Sequence, residues 1–194
     1  KELGIYDIAE TLFKNAEAIF KKLIKEKKQD KFNDYLLNVI AENLELKLNL
    51  GQLGEARRLY VSYESSYKTS KNITPIYEAY AREVFSRFFL DLNQAEKAIQ
   101  QIKAGQSLIA GLPDYYLHPR FFSNLCSAYK KKGDLENAHK HCLEAIKYIN
   151  KSRKFGFSEF SSINETRTKS KRVFANYFDT ASILLAQAEK TELT

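Results

Sequence analysis

Methionine is absent from the 194 residues, proline occurs three times and glycine seven times. So little glycine and proline argues against an all-β chain, which would need many tight turns. No apolar run approaches the length of a membrane span. Two cysteines, Cys126 and Cys142, do not make a dense disulfide framework. They fit a reducing, cytoplasmic compartment and read as small buried hydrophobes, not reactive thiols. The chain opens KELGIYDIAE, with neither an initiator methionine nor a signal-peptide pattern, and is expected to be a domain of a longer protein. GxSxG, P-loop, HExxH and CxxC motifs are all missing, so nothing points to an enzyme.

What is present suits a folded, soluble chain. Apolar residues reach 44% and charged residues 28%, a balance that can bury a core. The net charge of +7 comes from 31 basic and 24 acidic residues that are interleaved nearly everywhere. A nucleic-acid binder gathers its positive charge on one face, so nucleic acid is not the expected partner. The basic stretches KKLIKEKKQDK (21–31) and TRTKSKR (166–172) lack interleaved aromatics and read as solvated helix surface.

Helical periodicity dominates. It predicts helices over about 3–28, 30–50, 53–67, 75–92, 93–111, 114–132 and 134–151. A last helical region covers about 158–189, with a possible break near Asn164. Thr74 and Pro75 fit an N-cap and the first helical position. Asn93 and Asp134 read as caps of the helices that follow them. His118, before Pro119, reads as a loop residue.

Three segments align: LNLGQLGEARRLY (48–60), FFLDLNQAEKAIQ (88–100) and YKKKGDLENAHKH (129–141). Gly51, Asn93 and Gly133 stand at the elbow of each, at intervals of 42 and 40 residues, and Ala56, Ala98 and Ala138 follow at the same offset. Glycine and asparagine accept the left-handed backbone of a sharp turn, and alanine allows two helices to cross closely. A period in this range signals stacked helical hairpins.

Residues 119–150 resemble a tetratricopeptide repeat. Phe122, Leu125, Cys126, Tyr129, Gly133, Asp134, Leu135, Ala138, Cys142 and Ala145 carry the match, and Asn150 stands where the family often has proline. The resemblance implies one all-α domain, a right-handed superhelix of stacked antiparallel hairpins. Its parts would be an N-terminal helix (1–29), repeats at 30–70, 73–111 and 114–151, and a capping helix or helices at 157–190. It implies a non-enzymatic module that binds a peptide or helix of a partner protein in a concave groove. The alternative is a sensory, regulatory or dimerisation domain of a larger bacterial transcription regulator or sensor kinase, in which homo-oligomerisation is possible.

Carried over by position, the groove would hold Asn38, Glu42 and Glu45, then Tyr80, Glu83 and Arg87, then Arg120, Ser123, Asn124, Ser127, Lys130 and Lys131. It would be acidic at one end and basic at the other. Tyr80, Arg87, Arg120, Asn124, Ser127, Lys130 and Lys131 are the expected partner-binding residues. FSNLCSAYKKKGD resembles co-chaperone repeats that clamp a terminal carboxylate. Asn124 matches the clamp asparagine, but Glu83 and Arg87 stand where the clamp has lysine and asparagine, so no clamp is expected. No cofactor or metal is expected either. His139 and His141 are two apart on a helix and diverge, and no further ligands complete a set with Cys142. Of the abundant aromatics, Phe85, Phe88 and Phe89 are expected in the core, and Tyr80 and the Tyr115–Tyr116 pair as interface anchors.

Overall fold

The computed structural model describes residues 3–27, 31–71, 73–112, 116–154, 175 and 177–184. All regular structure among them is helical: α1 (Leu3–Lys27), α2 (Lys31–Asn49), α3 (Leu53–Thr69), α4 (Pro75–Asp91), α5 (Ala95–Leu108), α6 (Leu117–Lys132) and α7 (Leu135–Lys154). Residues 177–184 form part of a further helix. The rest of the expected capping region, including 166–172 and Asn164, lies outside the described residues. None of the described helices is long and apolar enough to cross a membrane.

The three elbows are built alike. Gly51, Asn93 and Gly133 have φ of 69°, 58° and 78°. In each, the elbow N–H bonds back to a carbonyl of the preceding helix: Gly51 to Leu48, Asn93 to Leu90 and Gly133 to Lys130, all at 3.0 Å. The next N–H reaches one residue further back, Gln52 to Lys47 (2.9 Å), Gln94 to Phe89 (2.8 Å) and Asp134 to Tyr129 (3.0 Å). This paired closure satisfies carbonyls that a helix end leaves orphaned. The carbonyls of Gln52, Gln94 and Asp134 then accept the first bonds of the next helices, from Ala56 (3.0 Å), Ala98 (3.1 Å) and Ala138 (3.0 Å). All three alanines are fully buried, as their spacing predicts.

Asn93 therefore ends α4, and Gln94 takes the cap position of α5. Asp134 does cap α7, its Oδ1 accepting from the Asn137 N–H at 3.2 Å. Thr74 precedes Pro75 at the start of α4, as expected, but its hydroxyl bonds Asp34 of α2 instead of its own helix. His118 is a correction. It lies within the first turn of α6, buried, with Nε2 2.8 Å from the Leu112 carbonyl. Pro119 follows it without breaking the helix, because first-turn N–H groups have no intrahelical partner to lose.

The helices pair as hairpins α2/α3, α4/α5 and α6/α7. The first members also touch in series, α2 with α4 and α4 with α6, and each second member meets the next first member, α3 with α4 and α5 with α6. One apolar cluster runs from Leu36 to Ala128, with Phe85 fully buried and Phe88 and Phe89 nearly so. The Tyr60 ring of α3 packs against all three phenylalanines at centroid distances of 4.9–5.4 Å. Each such aromatic contributes about 1.5–3 kcal/mol by burial. At the α5–α6 crossing Gly105 lies against Phe121, and a Cβ on it would sit 2.4 Å from the ring's Cζ.

The cysteines need a second correction. Both are fully buried, as expected, but they are joined: Cys126 of α6 and Cys142 of α7 form a disulfide with a Cα–Cα distance of 5.2 Å. They occupy facing positions either side of the Gly133 elbow, which brings α6 and α7 within bridging reach. Disulfides persist in oxidising compartments, so the cysteines no longer support a reducing one.

Candidate functional site

The side chains aligned from α2, α4 and α6 converge, mainly on one another. Glu45 of α2 is the hub. Its Oε1 accepts from Arg87 Nη1 at 2.6 Å and from Arg120 Nη2 at 2.7 Å, and its Oε2 accepts from the Tyr80 hydroxyl at 2.6 Å. Arg120 also pairs with Glu83 and lies 5.5 Å from the Tyr80 ring centroid. Arg87 donates a further bond to Asn49 Oδ1 at 2.7 Å. Asn124, fully buried, donates to Glu83 Oε1 at 3.0 Å and to Ser86 Oγ at 2.8 Å.

Two carboxylates and two guanidiniums therefore interleave across three helices. From the acidic and basic ends expected from the sequence, Glu45 and Arg120 meet directly, whereas Glu42 bonds Asn38 and Lys130 and Lys131 bond Asp179 and Asn93 outside this network. Arg120 is held protonated by Glu83 and Glu45 against the cost of its burial. Burial first, and then Glu45, push the Tyr80 hydroxyl well above the ordinary tyrosine range. Such pairs are stabilising only when complete, since a buried charge that loses its partner is costly.

The remaining expected residues lie toward the C-terminal end of α6. Ser127 bonds the Ser123 carbonyl at 3.1 Å, Lys130 pairs with Asp179, and Lys131 reaches Asn93 Oδ1 at 3.3 Å. Asp179 belongs to the helical segment 177–184, whose Tyr177 ring stacks on His139 with centroids 5.3 Å apart. His141 points elsewhere, stacked on Tyr129 (5.3 Å) and Phe122 (6.0 Å).

Beside the ion-pair network lies a small open hollow of about 160 Å³. Asn38 and Glu42 of α2, Ile76, Tyr77 and Tyr80 of α4, and Tyr116 at the start of α6 line it. Tyr116 is 50% exposed; Tyr80, expected as an exposed anchor, is instead half-buried with its hydroxyl on Glu45, and Tyr115 lies outside the described residues. Glu42 accepts a 2.8 Å bond from the Asn38 amide, and no cation pairs with it among the described residues. Desolvation, then the like charge of Glu45, raise its carboxyl pKa. Ile76 and Tyr77 escaped the sequence alignment because they sit in the first turn of α4, a full helix length from the elbow. Their signal is the Thr74–Pro75 start, which fixes which residues open that helix. No protein-family model, curated protein or solved structure matches this chain.

Proposed function

We propose that the chain is a non-enzymatic protein-interaction module. Its helical hairpins stack as a tetratricopeptide-like superhelix, and a segment of a partner protein docks on the face formed by α2, α4 and α6. The observation that carries this reading is the network centred on Glu45, which ties those three helices together next to a tyrosine-lined hollow. A face fixed before the partner arrives loses little entropy on binding. Arg87, Arg120 and Asn124 are then the frame of the site, and Tyr77, Tyr116, Lys130 and Lys131 its accessible edge. A photo-crosslinking residue at Asn38 or Tyr116 should trap a defined partner, and one at Arg58 or Val61 on α3 should not. Equal trapping from both faces would refute the assignment.

A second reading, a regulatory or dimerisation domain of a larger protein, is favoured by α1. Ile5, Ile8, Leu12 and Ile19 fall on one stripe of that helix and are 57–66% exposed. Apolar stripes of this kind mark association surfaces. Sedimentation of the wild type and of an Ile8→Lys, Leu12→Lys variant separates the readings: a dimer that the variant dissolves supports this one.

A further inference from the structure

We propose that the hollow between α2, α4 and the start of α6 receives one alkylammonium or guanidinium group, in the first instance a lysine or arginine side chain of the docked segment. This deepens the interaction-module reading and rests on it.

Three observations converge. The lining supplies the aromatic rings of Tyr77, Tyr80 and Tyr116, and ring faces attract cations through their quadrupole. It supplies one carboxylate, Glu42, which a neutral amide holds in place and no described cation neutralises. The two neighbouring carboxylates, Glu45 and Glu83, are already committed to Arg87 and Arg120. The charge left over in the hollow is therefore negative, although the chain as a whole is positive. An anionic group placed there would face Glu42 at close range, and the described lining holds no cationic side chain to receive it.

Size narrows the ligand. About 160 Å³ is well below the roughly 300–1,000 Å³ of ordinary small-molecule sites. It suits the end of one side chain. Arg120 above the Tyr80 ring already shows the same pairing of cation and ring inside the frame.

The test is an NMR titration of the chain with a capped Gly-Ser-Lys-Ser-Gly peptide, its norleucine and glutamate counterparts, and n-butylammonium. Saturable shifts at Tyr77 and Tyr116 are expected with the lysine peptide and absent with the norleucine and glutamate peptides. E42Q, which can still accept from Asn38, should weaken binding about ten-fold. Y77L and Y116L, which keep apolar bulk and lose the ring, should weaken it about two- to five-fold each. Comparable binding of n-butylammonium would identify a free amine as a sufficient source, and much weaker binding would identify a peptide-borne one; both support a cation site. Equal binding of lysine and norleucine peptides, or indifference to E42Q, overturns it. Preference for the glutamate peptide at the same residues would overturn the cation assignment and leave the docking face standing. Photo-crosslinks confined to α3 would remove the docking face itself.

Discussion

Arg120 of α6 bonds Glu45 of α2 at 2.7 Å, across the whole intervening hairpin and 75 positions along the chain. Stacked hairpins ordinarily contact only their nearest neighbours, and their stability adds up unit by unit. Here the Arg120 guanidinium joins the first hairpin to the third.

Arg120→Met should therefore cost about 3–5 kcal/mol, because Glu45 and Glu83 both lose a cation in a largely dehydrated setting. Arg120→Lys should fall between, since an ammonium lacks the fork that spans two carboxylates. Urea unfolding would measure both. A broadened transition in the methionine variant would show that the third hairpin now unfolds separately from the first.

Gly105→Ala should destabilise by about 1–3 kcal/mol through overpacking against the buried Phe121 ring. Adding Phe121→Leu should recover part of the loss. In a double-mutant cycle on thermal unfolding, additive effects would show that the two residues do not meet.

Reducing the Cys126–Cys142 bond should cost about 3 kcal/mol, the loop-closure value for a bridge of this span. Both sulfurs are buried, so a native sample should resist alkylation, and a denatured one should alkylate only after reductant is added. Two modified cysteines in a denatured, unreduced sample would mean that the pair is free.

His141 gives the stability a pH slope. Its pKa is lowered by burial and then by Lys140, while Glu144 and Asp134 oppose the shift and the Phe122 and Tyr129 rings flank it. Below about pH 6.5 the unfolded imidazole takes up a proton that the folded one resists. Stability should then fall as pH drops from 6.5 through the lowered folded value, and be regained above it. His141→Phe should flatten that part of the profile.

The parts of the fold legible in the sequence are those set by local sterics. Gly51, Asn93 and Gly133 announce a left-handed residue, and the alanine that follows each elbow announces a close crossing. Both features depend on a few neighbouring positions. The alignment also found Glu45, Tyr80, Glu83, Arg87, Arg120 and Asn124 together on one face, which they share. That they bond each other depends on how far each first helix is shifted along the next, which the spacing within one helix does not encode. Asn124 shows the difference: its family match suggests a surface donor, and the crossing with α4 buries it against Glu83 and Ser86. The disulfide was hidden for a related reason. Its two positions look like ordinary interior sites, and only the close approach of α6 and α7 makes them partners.

The identical closure of the three elbows bears on how this architecture tolerates editing. Successive bends are 42 and 40 residues apart, yet each re-establishes the same phase before the next helix begins. Length differences are absorbed between bends, where α3 has 17 residues and α5 has 14. Residues added near 70–73 or 110–112 would be forgotten by the next elbow, whereas one added inside α4 would rotate the α4 side chains on one side of it out of step with those on the other, up to the Asn93 elbow.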